Sequence, residues 1–431
     1  MSVELMALIL IGGLLLLFAL GIEIAVAIGI IGSIGLLFFV GQPVRQFAFT
    51  AFQFTNSFTL TAVPLFIFMG AIFSNTGTMT SLFKAADKIV GVLPGSIVCS
   101  VLGANAIFGA ISGSSLAAVA TFGKIAFPDM EKLGYDPKLA LGSLAVGGTL
   151  SVLIPPSVIL IVYGGWQEVS VVRLFAGGLI PGIILALLLM LTVVVLVSFN
   201  PRLAPKPPKV SWRERLIAAR DILPFVAVVV LVLGVIFGGI MTATEAASLG
   251  AILSLVLAFA YRRMTFTAFK ESMLTAVKIW AMIAFVSITA RVLSMVFQYI
   301  GLTDVFSAFM VGLPFGRYGI FAIICVMYLV LGMFFDSFAM LFLTLPFISP
   351  IIYQLGFDPI WFGVVYVVLS EIGLVTPPFG LNLFVLHNVI PKHDIMTIAL
   401  GSLPFLIPTL LTVLVLTVFP ELVLWLPSVL Y

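Results

Sequence analysis

Two stretches of this chain, 222 positions apart, are near copies of each other, and that repetition limits the possible folds more than any other feature. LGYDP at 133–137 returns as LGFDP at 355–359, and Pro155-Pro156 returns as Pro377-Pro378. Pro128 with Pro350, Ser115 with Ser337 and Ala117 with Ala339 keep the same spacing without a gap. Chance gives one such match, hardly five in register, so the chain builds one unit twice.

What the unit is made of follows from composition. Of 431 residues, 62% are hydrophobic and 9% charged, against roughly 25% charged in a soluble domain. A water-soluble globule is excluded, and at ~20 residues per span the apolar content would fill about a dozen membrane helices. The 20 basic and 17 acidic residues form no run dense enough for a nucleic-acid surface. The only two cysteines, Cys99 and Cys325, lie in apolar stretches, which argues against a disulfide framework or a thiolate metal site. The N-terminal run carries Glu4 where a secretion leader would be positive and continues too far to be a cleaved peptide, so it reads as a retained span. Residues 4–40 exceed one crossing, which predicts a break near Gly21 and Glu23.

Residues 200–221, NPRLAPKPPKVSWRERLIAARD, form the one clearly polar linker, with a basic excess that places it in the cytoplasm. Arg262, Arg263, Lys270 and Lys278 lie two spans later and so on the same side. Five crossings are expected between the two copies. An odd number turns one copy upside down, giving an inverted-topology repeat as in many secondary transporters. Lys124, Lys132 and Lys138 mark the first copy's turn, whereas residues 338–370 contain no Lys or Arg, in keeping with opposite orientations.

Each copy opens with a long apolar stretch interrupted by small or polar residues, GAISGSS at 109–115 and FFDS at 334–337. Such an interruption reads as a re-entrant hairpin, because non-helical backbone at membrane depth is tolerated only inside protein or beside water. The Pro-Pro that follows removes two donors and breaks the next helix. The predicted fold is an all-α polytopic membrane protein with two re-entrant hairpins and two discontinuous helices. Its parts are N-terminal scaffold helices over 1–92, a first repeat over 93–199, the linker over 200–221, scaffold and connecting helices over 222–313, and a second repeat with the C-terminal helix over 314–431.

A broken helix bares carbonyl oxygens on one side and amide N–H groups on the other, suiting a hard cation such as Na⁺ and a carboxylate respectively. Ser112, Ser114, Ser115, Thr149, Ser151 and Ser157 can add oxygens in the first repeat, and Asp336, Ser337, Thr376 and Asn382 in the second. Packing of small residues between helices is the bland alternative, and Asp336 equally suits a helix cap. Glu371, aligned with Thr149 by the repeat, either lines the same cavity or pairs with a neighbouring helix. Arg291, inside an apolar helix, needs an anion, either a substrate carboxylate or Glu245. Glu245 itself fits a capping box with Thr242. His387 and His393 read as interfacial, and Lys84, Asp87 and Lys88 as part of a helix lying on the cytoplasmic surface.

Taken together, GAISGSSLAAVATFGKIAFPDMEKLGYDP, GGTLSVLIPPSVILIVYG, TATEAASLGA, LTLPFISPIIYQLGFDPIWFGV and EIGLVTPPFGLNLFVL resemble the large membrane subunit of tripartite ATP-independent periplasmic (TRAP) transporters, the DctM-like family. The resemblance covers essentially the whole chain. It implies a Na⁺-driven elevator in the bacterial inner membrane with both termini periplasmic. An organic acid would be delivered by a periplasmic substrate-binding protein, and a small four-helix membrane subunit would stand alongside. No cofactor is implied beyond Na⁺ as coupling ion. Carried over residue by residue, sodium would involve Ser112, Gly113, Ser114 and Ser115 with Ile154 and Pro155, and Asp336 and Ser337 with Thr376 and Pro377. Substrate would lie between the tips, at Ser115, Ser157, Ser337, Pro378 and Asn382. Ser151 departs from the glycine that similar chains often carry and that the second repeat has at Gly373. A self-sufficient sodium- or proton-coupled carboxylate transporter of similar design is the other reading. An intramembrane protease is disfavoured, since neither HExxH nor GxSxG is present.

Overall fold

A computed structural model describes residues 1–91, 93–207 and 210–431; Val92 at the edge of the first repeat, and Pro208 and Lys209 of the linker, lie outside the described residues. Every regular element among the described residues is helical. Among the described residues six helices are long and apolar enough to cross a membrane alone, and two bent pairs raise this to eight. The dozen expected from composition is not reached by full-length helices, because much of the apolar sequence forms helices of 10–17 residues such as Val3–Ala19 and Gly316–Gly332.

Local chemistry explains most of the boundaries. Gly21, at φ +77°, separates Val3–Ala19 from Ile24–Gly35, at the expected break. Thr242 and Glu245 form the expected capping box at the start of Ala243–Ala260. The basic stretch read as linker is different. Among its described residues Pro201–Leu203 form a short 3-10 helix, and residues from Trp212 onward belong to the helix Trp212–Phe237. Ser211 and Glu214 make a reciprocal capping box there, so the helix starts ten residues before the apolar run at 222.

The two copies match element for element. Ser115–Lys132 and Ser337–Gln354 start and stop 222 positions apart. Each ends in a glycine with positive φ, Gly134 at +79° and Gly356 at +70°. Asp136 and Asp358 then cap the next helices, each accepting two backbone N–H bonds, with Pro137 and Pro359 in the first helical position. Both helices break at a Pro-Pro: Pro137–Gly147 and Leu150–Leu153 give way to Val158–Gln167, and Pro359–Leu374 to Leu381–Val389. Pro155-Pro156 and Pro377-Pro378 both have cis peptide bonds.

The copies also pack on each other. Gly142 and Gly401 let Pro137–Gly147 and Ile395–Val418 touch backbone to backbone, since a Cβ on Gly142 would sit 2.0 Å from the Gly401 carbonyl oxygen. Tyr163 donates to the Pro359 carbonyl at 2.7 Å, and Trp361 Nε1 to the Leu416 carbonyl at 2.7 Å. Beside this body stands a second group of helices, in which Phe266–Tyr299 packs on Ile24–Gly35 and Ala62–Asn75. It meets the first interruption where Gly70 faces Ser112, with room for no Cβ: one there would lie 2.6 Å from Ser112 Cα.

Candidate functional site: two interrupted helices around a shared centre

In the first copy the stretch read as a hairpin is Ser96–Ser112, a two-residue interruption, then Ser115–Lys132. Gly113 ends the first helix in the left-handed region at φ +58°, where a side chain would be strained. Ser114 caps the next helix by accepting from the Ala117 N–H. In the second copy Gly316–Gly332 leads through residues 333–336 into Ser337–Gln354, and Asp336 occupies the position of Ser114. Its Oδ1 accepts from Phe338 N at 2.9 Å and Ala339 N at 3.1 Å, so Asp336 takes up the capping role.

Each interruption faces the break of its own copy. A Cβ on Gly113 would lie 3.0 Å from Val158 N, the first residue after break one. In the second copy the Phe334 ring lies 5.0 Å from Phe379. Just before each break, small residues let the helices cross closely. Gly332 and Gly373 meet with 2.8 Å between a Cβ built on Gly332 and the Gly373 Cα. In the first copy Gly109 meets Ser151, which therefore stays helical and donates its hydroxyl to the Asn105 carbonyl at 3.3 Å. Glycine is absent at 151 because its partner provides the space.

The copies meet at these same points. Asn382, from the helix after break two, donates through Nδ2 to Ser115 Oγ at 2.8 Å and to the Ala145 carbonyl at 3.1 Å, and Ser115 and Asn382 are both buried. Ser337 donates to Glu371 Oε1 at 3.2 Å, while the Tyr366 hydroxyl donates to the Ser337 carbonyl at 2.6 Å. Ser115 also faces the Glu371 carboxylate. Ser115, Ser337, Asn382 and Glu371 thus converge from both copies.

The other candidate hydroxyls turn to their own backbone. Thr376 donates to the Ile372 carbonyl at 2.6 Å and Thr149 to that of Val146 at 2.7 Å, while Ser157 accepts from Leu160 N at 3.4 Å. Ile154 and Pro155 are buried, Pro377 is partly exposed and Pro378 exposed. Ser112, Gly113 and Ser114 line a small cavity of about 100 Å³ with Val158 and Phe338. Tyr366 and the Gly109–Ser151 crossing escape sequence reasoning, because no spacing marks which small residue meets which.

Arg291 does not pair with Glu245, whose Oε2 is taken up by Thr242 N and Oγ1, both at 2.8 Å. Its guanidinium lies 4.5 Å from the centre of the Trp166 ring. There it borders an open cleft of about 780 Å³ that Glu168, Gln53 and Thr242 also line. Reaching a cleft removes the need for a buried counter-ion. Among the described residues no group of three or more His, Cys, Asp or Glu side chains could hold a metal ion.

Comparison with known proteins adds a family to this geometry. The model described as "Tripartite ATP-independent periplasmic transporter, DctM component" matches residues 11–422. The chain belongs to this family. It is 34% identical to the C4-dicarboxylate TRAP transporter large permease protein DctM of Pseudomonas aeruginosa, over 93% of this chain and 94% of that one. It is 31% identical to the sialic acid TRAP transporter large permease protein SiaM of Vibrio cholerae, over 93% and 97%. Among solved structures, the YdaH transporter of Alcanivorax borkumensis aligns with a TM-score of 0.60 at 16% identity, covering 90% of each chain, a likeness of fold. This DctM-family chain is accordingly a multi-span membrane protein of a transporter permease family.

Proposed function

We propose that this DctM-family chain is the large membrane subunit of a sodium-coupled importer of a small organic anion. The anion is received from a periplasmic binding protein and moved by an elevator motion, with a small four-helix membrane subunit alongside. The observation that carries the reading is the meeting of the two copies at Ser115 and Asn382, beside both interruptions. Four helices start at or beside the interruptions and breaks, at Ser115, Val158, Ser337 and Leu381; Ser114, Ser157 and Asp336 each take some of the first amide N–H groups, and those left over suit a carboxylate. The neighbouring donors are serine, amide and carboxylate oxygens, which suit a hard monovalent ion better than a soft metal. The orphaned Oε2 of buried Glu371 is an oxygen with capacity to spare. For the substrate class, relatives named for C4-dicarboxylates and for sialic acid both point to carboxylates.

In this reading the re-entrant hairpins and the broken helices move as one body against the scaffold. The close Gly70–Ser112 approach would be the sliding surface, since small residues offer the fewest interlocking side chains. Topology follows from the basic linker, with residues 200–221 cytoplasmic, the copies inverted and both termini periplasmic in a bacterial inner membrane. The test is uptake of labelled C4-dicarboxylates and sialic acid into proteoliposomes holding this chain with its small subunit, with and without the binding protein. Uptake that needs a sodium gradient and the binding protein is expected. Undiminished uptake on a proton gradient alone would refute sodium coupling, and undiminished uptake without the binding protein would favour a self-sufficient transporter.

A further inference from the structure

Lys84 and Lys88 sit four residues apart on the helix Thr78–Val90 and so share one face, where like charges repel. Both are exposed, while Met79, Leu82, Phe83 and Ala86 bury the opposite face. The helix leaves Ala62–Asn75 at an angle of 75°, which lays it along the membrane surface when that neighbour stands across the bilayer. The two lysines do not simply face open water. With Ser81 and Arg263 they line a recess of about 370 Å³, and Asp221 and Phe225 of Trp212–Phe237 form one of its walls.

Arg263 is held in position for that recess. Its Nη1 donates to the Gly77 carbonyl and to Ser81 Oγ, both at 3.1 Å, so among the described residues Nε and Nη2 keep their donors for another partner. Arg262 just before it adopts the left-handed backbone, φ +53°, after Ala243–Ala260, where glycine is usual, and the turn brings Arg263 back over Thr78–Val90. Acids do not balance these charges. Asp221 is the one carboxylate among the described residues lining the recess, and three cations less one anion leave +2. Glu214 lies within charge range of Lys88, yet its Oε2 accepts from Ser211 N and Oγ, both at 2.8 Å. Asp87 accepts from Ser100 at 3.3 Å. Among the described residues every ion pair involves Glu131, so none reaches Lys84, Lys88 or Arg263.

A guanidinium with free donors, two ammonium groups and a hydroxyl around one volume suit a phosphate group, which accepts several charge-assisted hydrogen bonds at once. The surroundings indicate its source. Ile89 beside Lys88, and Leu216, Ile217 and Leu223 on the helix forming the wall, are exposed apolar side chains. Trp212 is exposed too, with the Arg215 guanidinium 5.1 Å from its ring centre, the mixture of aromatic and basic groups that marks a headgroup region. We propose that this recess binds a phosphate group presented by an anionic phospholipid of the leaflet on the basic side. The bound headgroup would join Thr78–Val90, which leads into the first repeat, to Trp212–Phe237 and the Arg263 turn. It uses none of the residues assigned to sodium or substrate.

The test follows the melting temperature of the full chain, purified with its small subunit and delipidated in neutral detergent. It is titrated with phosphatidylglycerol, phosphatidylcholine or inorganic phosphate at constant ionic strength. Wild type is expected to gain stability with phosphatidylglycerol and not with the other two. Lys84→Gln combined with Lys88→Gln should match wild type without lipid and raise the phosphatidylglycerol half-saturation at least about tenfold. Asp221→Asn, which removes the opposing charge, should lower it. Lys124→Gln with Lys132→Gln takes the same charge from the first copy's turn and should leave it unchanged. An equal shift in that pair would mean that the whole basic face attracts the lipid, and would overturn the recess. So would a wild-type curve for the Lys84 and Lys88 variant, or no response of wild type to phosphatidylglycerol. A gain with inorganic phosphate that the Lys84 and Lys88 variant loses would keep the phosphate site and overturn the lipid as its source.

Discussion

The first and second repeats share the order of their helices and the register of Ser115–Lys132 with Ser337–Gln354, yet one is closed where the other is open. Every residue from 151 to 160, spanning break one, is buried, whereas in break two Pro378 is exposed and Phe379 is 48% exposed. Interruption one is made of Gly113 and hydroxyls, while interruption two carries the aromatic pair Phe334 and Phe335 with Asp336 as cap. Matching backbone devices, the Asp caps, the left-handed glycines and the Pro-Pro, thus hold different chemistry. The skeleton fixes where the helices break, and the side chains decide which break faces outward in this conformation.

The largest effects should come from the close crossings that both repeats need. Gly332→Val and Gly109→Val would each drive a side chain into the backbone of residue 373 or 151, costing about 3 kcal/mol. Each should lower the melting temperature followed by size-exclusion chromatography, and no loss in either variant would mean that the repeats do not share this crossing. Next in size is Asn382→Leu, which strands the Ser115 hydroxyl and the Ala145 carbonyl at a cost of about 1 to 3 kcal/mol. An unaltered melting temperature there would dissolve the link between the copies. A smaller, sharper contrast is expected between Ser115→Ala and Thr376→Ala in sodium titrations of uptake. The Ser115 hydroxyl sits at the junction while that of Thr376 is tied to its own helix, so the first should shift the half-saturation more. Equal shifts would argue that break two depends on the Thr376 side chain after all.

How much of this was readable beforehand depends on sequence distance. The break at Gly21, the Thr242–Glu245 box and the matched helix ends were legible, because caps, prolines and left-handed glycines act within a few residues. The start of Trp212–Phe237 was missed, since charged residues suggested a linker while Ser211 and Glu214 were forming a capping box. The Ser115–Asn382 contact joins residues 267 positions apart, and no periodicity reports it. Each residue alone stands out in the sequence as a polar group beside an interruption or break, but their partnership depends on how the copies dock. Glu371 was visible through its alignment with Thr149, whereas its lack of a salt-bridge partner is a property of packing.

The smallest effect concerns the exposed join between the copies, Lys392 and Glu131 at 2.6 Å. The Lys392 ammonium beside Glu131 holds its carboxyl below the usual carboxylate range. A lowered folded value contributes stability above the ordinary pKa of about 4.3 and loses it as pH falls through the lowered one. Lys392→Gln should therefore lower the melting temperature slightly at neutral pH and leave it unchanged in acid below the lowered value, where wild type has already lost the contribution. A clear loss at neutral pH would show that this surface pair matters more to docking than solvent-screened charges normally do.

The claim beneath all of this is that both copies deliver their interrupted helices to one point, and disulfide trapping tests it most directly. With Cys99 and Cys325 replaced, Ser115→Cys and Asn382→Cys combined in one chain should link on mild oxidation in native membranes and shift its electrophoretic mobility. If the two thiols remain free, yet both react once the chain is unfolded, the copies do not meet there and the shared centre does not exist.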